Sequence, residues 1–168
     1  MVSLHNRKFI SADSDKCVGC QVCEYACSFT HDKVFNAVKS RIRVVRSNQS
    51  MKSIALTCRK CQEPACVAAC PRDALSQSLE TGTIIIDQDQ CNGCGWCIEA
   101  CNYGAMMMHP ESKTVYVCDL CQYRPDGPQC VKWCPEEALT VVTSDVLAQK
   151  ARLNAIKKLF QEHEELEK

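Results

Sequence analysis

The stretch CNGCGWCIEAC, Cys91 to Cys101, places four thiols in eleven residues. Three stand at steps of three and the fourth follows four residues later. Groups of four cysteines recur along the chain, with spacers x2, x2, x3 in the first, x2, x4, x3 in the second and x2, x8, x3 in the fourth. CVGCQVCEYAC carries Cys17, Cys20, Cys23 and Cys27. CRKCQEPACVAACP carries Cys58, Cys61, Cys66 and Cys70. CDLCQYRPDGPQCVKWCP carries Cys118, Cys121, Cys130 and Cys134. These groups, with Cys91, Cys94, Cys97 and Cys101, use all sixteen cysteines of the 168-residue chain. This is a repeat of motifs.

So dense a thiol pattern has three possible purposes: disulfides, zinc or iron–sulfur clusters. Disulfides need an oxidising compartment. The N-terminus MVSLHNRKFISADSDKC has no apolar leader and no twin arginine. No window approaches the ~18 apolar residues of a membrane span. The expectation is a soluble, cytoplasmic protein without direct membrane insertion, able to ride on an exported or membrane-bound partner. Structural zinc pairs two C-x2-C knuckles across a longer span. The second and fourth groups fit that description, whereas the first and third crowd three thiols too tightly for one tetrahedral ion. A cubane [4Fe–4S] cluster needs four thiolates on a compact body, and three cysteines at steps of three can take three corners. Gly19, Gly93 and Gly95 let the backbone turn there. The fourth cysteine is expected on the first turn of a helix, pointing away toward a second cluster, as in two-cluster ferredoxins. Four [4Fe–4S] clusters follow, with a zinc site in the x8 loop of the fourth group as the variant left open.

Composition agrees with a small protein organised around inorganic centres. Hydrophobic residues make up 46%, with two Trp, four Tyr and four Phe, which suits one or two small domains. The formal net charge is zero. Sixteen thiolates would add about sixteen negative charges, and four oxidised cores would return about eight. The loaded protein is then acidic, which excludes strong nucleic-acid binding despite the basic SRIRVVR.

Short β-branched runs read as strands: KFIS, RIRVV, SIALT, TIIID, TVYV and LTVV. CIEACNYGAM and CVAACPRDAL read as one or two helical turns. From Ser144, a plausible N-cap, SDVLAQKARLNAIKKLFQEHEELEK reads as a helix with Leu153, Ile156 and Phe160 on one face and a fraying end EHEELEK. It either covers the domain surface or docks on a partner.

The ordered array of four groups, with x4 in the second and a long loop in the fourth, resembles the four-cluster ferredoxin-like electron-transfer subunits. These accompany DMSO reductases, formate dehydrogenases, formate hydrogenlyase, carbon monoxide dehydrogenase and tungsten aldehyde oxidoreductases. The resemblance spans roughly Lys8 to Thr143. It implies an α+β fold of tandem bacterial-ferredoxin-like domains with a C-terminal helix: residues 1–50 plus 105–143 (groups one and four), 51–104 (groups two and three) and 144–168. It implies that Cys17, Cys20, Cys23 and Cys134 hold cluster 1, and Cys27, Cys118, Cys121 and Cys130 hold cluster 2. Cys58, Cys61, Cys66 and Cys101 would hold cluster 3, and Cys70, Cys91, Cys94 and Cys97 cluster 4. Spacing alone leaves other pairings open. Pro71 and Pro135 follow the last cysteine in two groups, Ser28 and Asn102 in the others. No group lacks a thiol, which argues against a three-iron cluster.

HDKVFNAVKSRIRVV resembles the stretch after the first group in partners of tungsten aldehyde oxidoreductase-type enzymes. The implied partner is a tungsten- or molybdenum-dependent catalytic subunit, with a flavin-containing subunit or soluble ferredoxin as the other carrier. A free polyferredoxin, or the subunit of a carbon monoxide dehydrogenase, formate dehydrogenase or hydrogenase, is the alternative.

No catalytic site of its own is expected. Thr30, Asp73, Gly104 and Glu137 stand where a radical enzyme's C-x3-C-x2-C would need cysteine, and no G-x-G-x-x-G offers a nucleotide turn. His5, His31, His109 and His163 show no ligand spacing and read as ordinary side chains. Trp96, Trp133, Tyr25 and Tyr103 are expected to shield clusters from water, and MMMH to fill core space. Arg59, Lys60, Arg72, Arg124 and Lys132 either offset cluster charge or are solvated.

Overall fold

Two hydrophobic clusters, each built against thiols, organise the molecule. The computed structural model describes residues 7–166, with side chains described for 7–160. His5, His163 and the fraying end EHEELEK therefore lie outside the described side chains.

Around the first cluster, β1 (Lys8–Ala12) pairs antiparallel with β8 (Leu139–Thr143), Ile10 opposite Val141. Helix α1 (Val22–Asp32) packs on α4 (Gln129–Lys132). A 3₁₀ turn, Ala37–Lys39, leads into the ribbon β2 (Arg43–Arg46) with β3 (Ser53–Leu56). Ile10, Ile42, Ala55 and Leu139 are buried together with Cys23, Cys27, Cys118 and Cys130. Around the second cluster, α2 (Ala65–Ala68) packs on α3 (Trp96–Glu99). Ribbon β4 (Leu75–Gln77) with β5 (Ile84–Ile86) and ribbon β6 (Met107–Met108) with β7 (Val115–Tyr116) complete this half. Ala74, Leu75, Ile84, Met106, Val115 and Val117 are buried beside Cys97.

The six strand-like runs all become strands, and β4 and β6 are additional. Leu75–Gln77 begins at the last residue of CVAACPRDAL, the segment that reads as helical. A left-handed Asp73 ends the helical path there. Helix α1, at 11 residues, is longer than the other cysteine-bearing helices for the converse reason. Asp73, Gly104 and Glu137, three residues after the last cysteine of groups two, three and four, take positive φ and break the chain. Thr30 stands at that place in group one, and the helix runs on to Asp32.

β3 pairs with β2, and its Ala55 joins the first core. Met106, Val115 and Val117 belong to the second.

Helix α5 (Ser144–Leu166) leaves from the end of β8. Leu153, Ile156, Leu159 and Phe160 are exposed, so α5 does not cover the domain surface. It is tied near its start by Lys150 Nζ to Asp13 at 3.4 Å.

Candidate metal centres

The second spacer residue of the first C-x2-C in each group is left-handed: Gly19 (φ 71°), Lys60 (54°), Gly93 (67°) and Leu120 (60°). This conformation curls each pair of thiols inward. At Gly19 a Cβ would come within 2.6 Å of Ser53 Oγ, and at Gly93 it would overlap the Lys113 carbonyl. Two groups thus require glycine for space, whereas Lys60 and Leu120 hold a strained conformation with a side chain in place.

The third cysteine of each group lies in the following helix: Cys23 in α1, Cys66 in α2, Cys97 in α3, Cys130 in α4. The fourth comes about one turn later. Cys27 is inside α1, while Cys70, Cys101 and Cys134 lie just past the ends of their helices, not on a first turn. Each short helix therefore carries one cysteine at either end and aims them at different places.

The chain gathers its thiols accordingly. Cys23 lies within electrostatic reach of Cys17, Cys20 and Cys134, and these four line one cavity. Cys97 is grouped with Cys70, Cys91 and Cys94, which line another with it. Cys66 is near Cys58, Cys61 and Cys101. Cys130 is near Cys118, Cys27 and Cys121, and also senses Cys23. Burial, reinforced by neighbouring thiols, pushes Cys23 up to about 12 and Cys66 and Cys97 to about 11. Burial likewise pushes Cys118 up to about 12, against opposing pulls from a backbone N–H and Lys60. Bringing four such thiols together without metal is unfavourable, and a multivalent cationic core removes the conflict.

Backbone N–H groups already point at sulfur. Ala105 donates to Cys101 Sγ and Ala138 to Cys134 Sγ, each at 3.3 Å, both just after a left-handed residue. Where α1 continues, Arg41 N takes over this role for Cys27 Sγ at 3.3 Å. Such donors favour thiolate. The four-sulfur donor sets, the cavities and these donors fit [4Fe–4S] clusters.

Two polar features beside the thiols were not legible as functional. His31 Nε2 faces Asp119 Oδ1 at 3.1 Å, and Nδ1 faces the Cys27 carbonyl at 2.9 Å and Cys27 Sγ at 3.8 Å. Both ring nitrogens face acceptors, an arrangement that favours the doubly protonated imidazolium. Burial opposes that charge, but the bonds to Asp119 and Cys27 outweigh it and bring His31 to about 9. Asp119 also accepts from Arg41 Nη1 at 2.9 Å and from Cys121 N at 3.0 Å. His31, Asp119 and Cys121 could jointly offer a metal three ligands, yet Asp119 is already saturated by cations and backbone. Lys60 is the other feature. It is 2% exposed, and Nζ donates to Thr83 Oγ1 at 2.9 Å and to the Cys118 carbonyl at 3.1 Å.

The aromatic residues beside the cysteines do not shield as expected. Trp96 is 60% and Trp133 61% exposed, with Tyr25 and Tyr103 also outward. Aliphatic residues of the two cores cover the thiols instead, because ribbons place their inward faces there. Met106 is buried, but Met107 and Met108 are only partly so. Of the basic neighbours, Arg59 stacks over Phe9 and Tyr103, Arg72 bonds the Gln90 carbonyl, Arg124 pairs with Asp126 at 3.7 Å, and Lys132 is exposed. Lys60 alone of these five is buried.

Residues 49–144 match the family model of the 4Fe-4S dicluster domain. The chain belongs to this family of iron–sulfur electron-transfer subunits. The chain is 34% identical over 164 residues to the electron transport protein HydN of Escherichia coli K12, covering 84% of this chain and 91% of that protein. It is 36% identical over 146 residues to the polyferredoxin-like subunit of an aliphatic sulfonate oxidoreductase from Pyrococcus furiosus, covering 84% and 82%. A chain of the BamBC complex of benzoyl coenzyme A reductase superposes with a TM-score of 0.49 at 30% identity, covering 80% of this chain and 75% of that one. HydN bears the name of an electron transport protein and the Pyrococcus furiosus relative that of a polyferredoxin-like subunit, and the sixteen cysteines match four [4Fe–4S] clusters. Among the described residues, no helix is long and apolar enough to cross a membrane.

Proposed function

We propose that the protein is the electron-transfer subunit of an oxidoreductase complex, relaying single electrons through four [4Fe–4S] clusters. The observation that supports this reading is that Cys23, Cys66, Cys97 and Cys130 each lie near further thiols drawn from two cysteine groups. Cluster 1 takes Cys17, Cys20, Cys23 and Cys134, and cluster 2 takes Cys27, Cys118, Cys121 and Cys130. Cluster 3 takes Cys58, Cys61, Cys66 and Cys101, and cluster 4 takes Cys70, Cys91, Cys94 and Cys97. When bound, the clusters supply one-electron redox chemistry. The chain's own residues hold them in order: α1 links the first two sets, Lys60 lies between the second and third, and α2 links the last two. Cys20 and Cys94, exposed in the outer sets, mark the two ends. The two halves then act as two cluster-pair units, divided where the cores divide.

The partner is a tungsten- or molybdenum-dependent catalytic subunit, with a flavin-containing subunit or soluble ferredoxin at the other end, in the cytoplasm. The likeness of HDKVFNAVKSRIRVV supports the choice of metal, and the similarity to a subunit of an aliphatic sulfonate oxidoreductase supports a catalytic oxidoreductase partner. Anaerobic purification from the native cells, with metal analysis of co-eluting chains, tests it. A stoichiometric large subunit carrying tungsten or molybdenum is expected. A nickel–iron dehydrogenase or hydrogenase would keep the relay and overturn the partner, and a four-cluster protein eluting alone would make it a free polyferredoxin.

A further inference from the structure

Lys60 combines two unfavourable features. It occupies a left-handed position (φ 54°) that the first and third groups fill with Gly19 and Gly93. Its ammonium is buried and, among the described residues, forms no ion pair with a carboxylate; a hydroxyl and a carbonyl are its hydrogen-bond partners. A buried charge without a carboxylate at ion-pair distance is costly, whereas the left-handed backbone is shared with Leu120 of the fourth group. The loop carrying it is held from the other side by Arg7, whose Nη1 donates to the Cys61 carbonyl at 2.7 Å. Lys60 belongs to the second cysteine group, next to Cys61 and two residues from Cys58, yet its Nζ reaches the Cys118 carbonyl of the fourth. It therefore stands between the third and second thiol sets, and so between the two halves of the molecule.

We propose that Lys60 is a positioning residue for electron transfer: its positive charge raises the reduction potentials of clusters 2 and 3 together and so makes the crossing between the halves favourable. Each cluster gains one negative charge on reduction, and a cation buried between two of them stabilises both reduced forms in a medium of low dielectric. The anionic thiolate sets in turn supply counter-charge to the ammonium, beyond the weaker pull of Asp119. Clusters 1 and 4, at the far ends, feel it less. Other cations near cluster 2, namely Arg41 and the His31 imidazolium, are already matched in part by Asp119.

The inference rests on the four-cluster reading, and iron, sulfide and zinc analysis of the wild-type protein tests that reading separately. The experiment is an anaerobic redox titration of the loaded protein followed by EPR. In Lys60→Gln, which keeps hydrogen bonding and removes the charge, two of the four midpoints fall, each cluster becoming about tenfold harder to reduce, or about 59 mV. Lys60→Arg restores both. Thr83→Asp leaves the lysine loop untouched and sets a carboxylate against the ammonium, so it lowers the same two midpoints. It serves where Lys60→Gln does not take up its full iron. The proposal is overturned if fully loaded variants show no shift, a shift of one midpoint alone or an equal fall of all four. Failure of arginine to restore the potentials also overturns it.

Discussion

At the scale of the residue, the left-handed positions and the charged network decide most. Gly93 has both a positive φ and the Lys113 carbonyl where a Cβ would stand. Gly104 has the same sign of φ but open space around it. Gly93→Ala is therefore expected to cost about 1–3 kcal/mol, with Gly104→Ala at the low end, about 1 kcal/mol. Thermal unfolding of the loaded variants orders the two. His31 gives a pH dependence whose sign follows from linkage. Its folded-state value, about 9, is above the ordinary ~6.5 of an unfolded histidine. The stabilisation is full below ~6.5 and is lost as pH rises through about 9. Denaturant midpoints of the loaded protein should decline across that window, and His31→Asn should flatten the decline.

At the scale of the element, each short helix works as a two-ended ligand carrier. Cys97 lies in α3 and Cys101 just beyond it, and they join different thiol sets. Cys101 shares its set with Cys66, 35 positions away by residue number. Replacing Cys66 and Cys101 together with serine should then perturb one cluster, or about four irons, whereas replacing Cys97 and Cys101 should perturb two. Iron counts on the purified double variants make the comparison, and equal losses would refute the shared ligation. The ribbons contribute by packing. Four two-stranded antiparallel pairs are marginal alone, and they hold because each lays an aliphatic face over thiols.

At the scale of the whole molecule, two small cores and four metal centres support one another. Complete removal of iron should leave clustered thiols with raised pKa values and little else to order the loops. Loss of protease resistance on anaerobic chelation is the expected result, with recovery on reconstitution. Helix α5 behaves differently. Its apolar residues are exposed, and it packs against β8 near its start. Truncation after Thr143 should leave the iron content unchanged and alter stability by under about 1 kcal/mol.

Much of this protein was legible from local chemistry. Thiol spacing alone pointed to the number and type of centres, and β-branched runs marked six strands, because both signals lie within a few consecutive residues. The helical period after Ser144 did the same for α5. Strands β4 and β6 were not legible, since their identity depends on left-handed breaks at Asp73 and Gly104 and on partners to pair with. Nor was the outward turn of Trp96 and Trp133, which depends on which face of a helix meets a core. Which cysteines meet, and the burial of Lys60 between two thiol sets, depend on contacts across as many as 117 positions, from Cys17 to Cys134. The sequence by itself determined what chemistry the chain could hold, because ligand type and spacing are local. Only the tertiary structure decided where each charge and sulfur stands relative to the others, because electrostatic interaction follows distance in space and not along the chain.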